Sequence, residues 1–118
     1  MSSRRFCALV LSLGILLLMP SLYLHAQSTY GSISGTVTDQ SGAAVVDAPV
    51  TLTNVGTGEK RTENTGNDGH FTFVNLFPGQ YRIDIEKQGF KHFAHPDITV
   101  QVQQDTHVDA ALTVGQVS

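Results

Sequence analysis

The 118-residue sequence predicts an all-β chain: a seven-stranded antiparallel β-sandwich, preceded by a helical signal peptide. Three observations predict this fold class. Beyond residue 30, apolar and polar residues alternate with a period of two, as they do in strands that bury one face. Turn-forming residues interrupt the alternation at intervals of about ten residues, which is typical of short strands in a sandwich. Beyond residue 26, no stretch places apolar residues at helical spacing over three turns.

The first 26 residues have the layout of a signal peptide, with a basic start, an apolar middle and a small residue at the end. Arg4 and Arg5 are basic, the run from Phe6 to Met19 is apolar apart from small residues, and Ala26 suits a cleavage site. The apolar run of about 14 residues is shorter than the roughly 20 that a membrane-spanning helix needs. We therefore expect cleavage after Ala26, and a retained anchor is the alternative.

Cleavage at that position changes the composition of the mature chain. The only cysteine is lost, and the formal charge falls from −3 to −5 because Arg4 and Arg5 are removed with the signal segment. No disulfide is then available, and an acidic chain does not attract nucleic acid. We expect no nucleic-acid partner, and the composition does not predict the oligomeric state.

The first half of the sandwich is predicted to contain three strands. Alternation over residues 31–38 gives the first, which ends in a turn at 39–42. The second strand follows Pro49, and glycines in the segment 55–58 end it. The polar stretch 59–65 is predicted as an exposed edge strand whose charges discourage pairing with other chains.

Four further strands are predicted in the second half. Asn, Asp and Gly at 67–69 favour a tight turn, and the alternating phenylalanines of 71–73 make a hairpin there. The segment 81–86 is the clearest amphipathic strand, with charged residues on one face. The last two strands are expected over 98–103 and 108–114.

The inward-facing residues of these strands should form a core between two sheets. Each such side chain contributes roughly 1.5–3 kcal/mol on burial, before conformational entropy is subtracted. The predicted core residues are Ile33, Val37, Val50, Leu52, Phe71, Phe73, Tyr81, Ile83, Ile85, Ile98, Val100, Val102, Val108 and Leu112.

A spaced motif runs through these strands and their turns. Its residues are Gly35, Val37, Asp39, Gly42, Gly69, Phe71, Phe73, Leu76, Gly79 and Tyr81. The motif resembles that of the carboxypeptidase regulatory-like domain family, and the resemblance covers Ser32 to Leu112. It implies a transthyretin-like (prealbumin-like) sandwich. We expect Gly42, Gly69 and Gly79 at turns that need unusual backbone angles, and the aromatic residues between the sheets.

The family resemblance also implies a context. Such domains occur beside metallocarboxypeptidase catalytic domains, in surface adhesins and at the N-terminus of TonB-dependent, Oar-like outer-membrane receptors. A signal peptide followed directly by this domain looks most like the receptors. We therefore expect a short linker at 27–31, the sandwich at 32–114 and a tail at 115–118, as a stand-alone domain or the truncated front of a receptor. The expected location is the periplasm or outer membrane of a Gram-negative bacterium, or the secreted fraction.

No catalytic constellation occurs at a recognised spacing, so we predict no enzyme activity, no cofactor and no metal site. None of His70, His92, His95 and His107 is followed by Glu at the third position, as zinc carboxypeptidase chemistry requires. A weak metal site formed by His92, His95 and Asp97 is an alternative to the favoured interpretation, in which these are solvated loop residues.

Three phenylalanines, Phe77, Phe90 and Phe93, fall outside the alternation. They are candidates for a sugar-binding platform, although packing over an end of the sandwich is favoured. Three functions therefore stay open. The preferred one is a non-catalytic, exported interaction module at the front of a TonB-dependent receptor, with a protein or a cell-envelope glycan as partner. The others are a carbohydrate-binding module of starch-binding-like fold and an accessory domain of a metallocarboxypeptidase.

Overall fold

A computed structural model describes residues 2–16 and 28–115 of the chain. These residues form one helix and eight strands, whose bounds are α1 Ser2–Leu16, β1 Gly31–Thr38, β2 Pro49–Asn54, β3 Lys60–Asn64, β4 His70–Leu76, β5 Gly79–Ile85, β6 Phe93–Val100, β7 Asp105–His107 and β8 Ala110–Ala111.

The strands form two sheets with a shared core between them. The first sheet has the order β4-β1-β7, with β8 also paired to β1, and the second has the order β3-β2-β5-β6. The predicted all-β class and the sandwich are confirmed. Two details differ from the prediction, because the described strands number eight and because β7 and β8 run parallel to β1 rather than antiparallel.

The last predicted strand, 108–114, is interrupted. Asp109 lies between β7 and β8, and its carboxylate accepts a hydrogen bond from the Thr36 amide at 3.2 Å. That amide would otherwise bond a backbone carbonyl of the neighbouring strand. Val108 still donates its backbone N–H to the Ser34 carbonyl at 2.8 Å. The segment therefore follows β1, but a side chain replaces one bond of the ladder.

The core confirms every predicted inward residue except Val102. That side chain is 54% exposed, because β6 ends at Val100 and the chain then turns toward β7. Gln103 makes this turn with a φ of 56°, in the left-handed region. The core also includes four side chains outside the predicted set: Val45, Ala48, Leu76 and Ala110.

The motif glycines have different structural reasons. A Cβ atom on Gly35 would overlap the carbonyl oxygen of Val108, so this glycine permits close approach of the chain to β1. Gly42 and Gly69 have φ of 85° and 75°, which agrees with the predicted turns. Gly79 differs, because it has a φ of 159° and lies at the start of β5 rather than inside a turn.

Among the residues of α1 whose side chains the structure describes, none belongs to the core. The Leu9, Val10 and Leu11 side chains of this helix are 57–69% exposed. Across residues 2–16 and 28–115, no helix combines the length and apolar character that crossing a membrane requires. The expected cleavage after Ala26 and the tail residues 116–118 lie outside the described residues.

Candidate functional site

A polar groove of about 590 Å³ lies on the outer face of the second sheet. We call it the outer groove, and its lining residues are Pro49, Thr51, Thr53, Lys60, Arg82, Asp84, Glu86 and His92. Alternation along each strand positions these residues on one face of the sheet. Residues that lie opposite each other on β2 and β5 project from the same face. Thr51 pairs with Asp84 in the register, and Thr53 pairs with Arg82.

Four charged side chains of the outer groove, those of Arg82, Asp84, His92 and Glu86, form one hydrogen-bonded row. The Nε of Arg82 donates to Oδ2 of Asp84 at 2.9 Å. The two ring nitrogens of His92 lie 2.8 Å from Oδ1 of Asp84 and 2.9 Å from Oε1 of Glu86. Both nitrogens face carboxylate oxygens, which only accept when ionised, so the doubly protonated imidazolium fits this geometry.

Electrostatics in the row favour the charged forms. The hydrogen bond from Arg82 is the main reason that the pKa of Asp84 lies below its usual value of 3.8. Hydrogen bonds to Asp84 and then Glu86 raise the pKa of His92 above 6.5. The side chain of Asp84 is 22% exposed, whereas those of Arg82 and His92 are about half exposed. The row is therefore ordered while still open to solvent.

The alternative metal site at His92, His95 and Asp97 is not assembled. His92 reaches Asp84 and Glu86 across the outer face, whereas the Nδ1 of His95 lies 3.1 Å from the carbonyl oxygen of Pro96. Within residues 2–16 and 28–115, no group of three or more His, Cys, Asp or Glu side chains is arranged to hold a metal ion.

The three candidate phenylalanines lie at two separate ends of the sandwich. Phe77 precedes β5 and is 59% exposed, whereas Phe90 and Phe93 follow β5 and are half-buried against the core. The seven residues of β5 separate them by roughly 20 Å, since a strand rises about 3.3 Å per residue. The three rings therefore cannot form one platform. Phe90 and Phe93 pack against the core at one end of the sandwich.

A second depression of about 410 Å³ lies where β1 begins, beside Phe77. We call it the end pocket, and the lining side chains that matter are those of Tyr30, Asn75, Gln103 and Asp105. Sequence reasoning placed Tyr30 in a linker and gave the other three no role. An aromatic residue just before the first strand, Tyr30, was the one sequence feature that could have indicated this pocket. The left-handed backbone angles of Asn75 and Gln103 cannot be predicted from the sequence.

Comparison with known proteins gives a family and a fold. The model of the carboxypeptidase regulatory-like domain matches residues 32–113. No curated protein matches the chain.

Three solved structures show how widely the sandwich is used. A proposed carbohydrate-binding protein from Bacteroides uniformis is 24% identical, with a TM-score of 0.57 over 70% of this chain and 40% of its own. GBS52, the minor pilin of Streptococcus agalactiae, is 14% identical, with a TM-score of 0.62 over 78% and 48% of the two chains. The 3-chlorocatechol 1,2-dioxygenase from Rhodococcus opacus is 14% identical, with a TM-score of 0.58 over 77% and 62%.

These likenesses show a shared fold and nothing more, because the proteins have unrelated activities. The chain spans only 40%, 48% and 62% of the length of the three structures. The family rests on the match over residues 32–113, which includes every residue of the motif. The chain therefore belongs to the carboxypeptidase regulatory-like domain family.

Proposed function

We propose that the chain is an exported, non-catalytic interaction module that serves as the N-terminal extension of a TonB-dependent outer-membrane receptor. The observation that supports an interaction role is the ordered row of Arg82, Asp84, His92 and Glu86 in the outer groove. Charges of both signs that are already fixed lose little freedom when a partner arrives. Complementary charge then sets orientation and association rate.

The N-terminal helix supports export. Exposed leucine and valine side chains are unfavourable on a folded protein in water, and Leu9, Val10 and Leu11 of α1 are all exposed. The same side chains suit the apolar region of a signal peptide, which is recognised and then removed. Arg4 and Arg5, both exposed, provide the basic start of that segment.

The chemistry of the outer groove supports a non-catalytic role. A hydroxyl nucleophile needs a base within hydrogen-bond reach. The hydroxyl of Thr51 lies 3.3 Å from that of Thr62, and both ring nitrogens of His92 are engaged by carboxylates. The histidine therefore has no free ring nitrogen with which to accept a proton from the threonine hydroxyl.

The receptor context is tested by the genomic DNA downstream of the Ser118 codon. We expect an open reading frame that encodes a plug and a series of about ten-residue alternating segments, as a membrane barrel requires. A stop codon in that position contradicts the receptor context. Export and partner binding then have to be tested separately.

The outer groove is tested by site-specific photocrosslinking in Gram-negative cells. A p-benzoyl-phenylalanine at Lys60, on the groove, is expected to give a discrete crosslinked product with an envelope protein. The same group at Thr72, exposed on β4 in the first sheet, is the matched control and is expected to give none. Equal products at both positions, or none at Lys60, contradict the assignment.

A further inference from the structure

An exposed aromatic pair lies at the edge of the end pocket, where Tyr30 lines the pocket and Phe77 packs against Tyr30 from outside it. Tyr30 is 38% exposed and Phe77 is 59% exposed. Their ring centroids are 5.2 Å apart, and the ring planes meet at 61°. Two solvent-exposed rings in edge contact offer an apolar surface that extends over more than one side chain. Among the described aromatic side chains, these are the two that are both large and exposed.

Hydrogen bonds hold the backbone of both aromatic residues in place. The Tyr81 hydroxyl donates to the carbonyl of Phe77 at 2.7 Å, from a side chain that is itself 4% exposed. The backbone N–H of Gln103 donates to the backbone carbonyl of Tyr30 at 3.0 Å. The pair is therefore preorganised, which lowers the ordering cost of binding.

Polar side chains line the end pocket beside Tyr30. Asn75 and Gln103 each have a φ of 56°, and both line the end pocket. This left-handed conformation is uncommon for Gln, and such outliers concentrate at functional sites. The guanidinium of Arg61 donates to the carbonyl of Asn75 at 3.2 Å, which fixes the turn that carries this amide. Each amide can both donate to and accept from a hydroxyl group.

A carboxylate completes the polar rim. Asp105 accepts hydrogen bonds from the hydroxyls of Ser32 at 2.9 Å and Ser34 at 2.8 Å. A carboxylate has about four acceptor sites, so Asp105 keeps capacity for further donors. Because these serine bonds fix its orientation, the carboxylate is already set to bind a hydroxyl group.

The charge of the end pocket narrows the class of ligand. No Lys or Arg lines it in the described residues, while Asp105 supplies negative charge, so phosphate and nucleic acid are disfavoured. The exposed apolar surface of the pocket is confined to the Tyr30 ring and Val74, with the Phe77 ring beside them, which is too little for a lipid chain. Side-chain amides and a carboxylate beside an aromatic platform suit a ligand with apolar C–H faces and many hydroxyl groups.

We propose that the end pocket binds a neutral carbohydrate chain, with Tyr30 stacking on a sugar ring, Phe77 supporting the Tyr30 ring from outside the pocket, and Asn75, Gln103 and Asp105 bonding the sugar hydroxyls. The volume of about 410 Å³ lies within the range of about 300–1,000 Å³ that small-molecule sites occupy. The end pocket shares no lining residue with the outer groove, so carbohydrate binding does not depend on the receptor context.

Affinity electrophoresis of the full chain tests the end pocket. Native gels are cast with soluble starch, xylan, mixed-linkage β-glucan, galactomannan or dextran, and retardation is expected in at least one of them. Tyr30→Ala is expected to weaken that binding about tenfold, because a stacking ring is lost. Gln103→Gly is expected to weaken it about three- to tenfold, through the loss of one hydrogen-bonding amide.

The glycine variant separates binding from folding. At a φ of 56°, glycine is less strained than glutamine, so the melting temperature of Gln103→Gly should stay the same or rise. Phe90→Leu, at the other end of the sandwich, is the control and should bind as the wild type does. Lack of retardation in all five gels overturns the proposal. So does wild-type binding by both end-pocket variants.

Discussion

Replacing Thr65 by valine removes two buried hydrogen bonds while keeping the shape of the side chain. The Thr65 hydroxyl donates to the Val45 carbonyl at 2.6 Å and accepts from the Ala48 amide at 2.8 Å. The side chain is 4% exposed, so water does not replace the lost partner. Each buried group left unpaired costs about 1–3 kcal/mol, and we expect a loss of about 2–4 kcal/mol. That is a large part of the stability of a small domain.

Urea denaturation followed by far-ultraviolet circular dichroism measures this loss. A change of that size lowers the melting temperature by roughly 10–25 °C in a domain of this length. Thr62→Val is the matched control, because its hydroxyl lies 3.3 Å from that of Thr51 on an exposed face. We expect the control to change stability by no more than about 0.5 kcal/mol. Equal effects of the two substitutions would refute the assignment of Thr65 as the residue that fixes the 45–48 segment.

Three further outcomes are expected. Gly35→Ala should cost about 3 kcal/mol in urea denaturation, because the new methyl group overlaps the Val108 carbonyl oxygen. His92 should titrate above 6.5 by NMR, and Asp84→Asn should lower its midpoint. Since the folded-state pKa is raised, the contribution of His92 to stability is full below about pH 6.5 and is lost as pH rises through that pKa. Val102→Ser should change stability by no more than about 0.5 kcal/mol, because the side chain is 54% exposed.

Period-two alternation was enough to predict the sandwich, because a strand that buries one face has an apolar residue at every second position. It succeeds for β5, where Tyr81, Ile83 and Ile85 are all buried. It fails at Val102, since alternation persists beyond the end of β6 and nothing local marks Gln103 as left-handed. The sequence pattern also did not predict that β7 pairs with β1 in parallel, because this pairing joins residues more than 70 positions apart.

The candidate sites were predictable only in part. Alternation placed Arg82, Asp84 and Glu86 on one face, and the outer groove has them there. No sequence pattern indicated that His92 would bridge Asp84 and Glu86, because its ring reaches them from the loop after β5. The end pocket was missed, since Tyr30 and Gln103 meet through a backbone bond between segments far apart in the chain.

Export of the sandwich with loss of the first 26 residues is the central claim, and an intact-mass measurement tests it most directly. The full chain is expressed in a Gram-negative host, and the periplasmic and cytoplasmic fractions are separated. We predict a periplasmic protein whose mass corresponds to a chain that begins at Gln27. A full-length chain confined to the cytoplasm would contradict the claim.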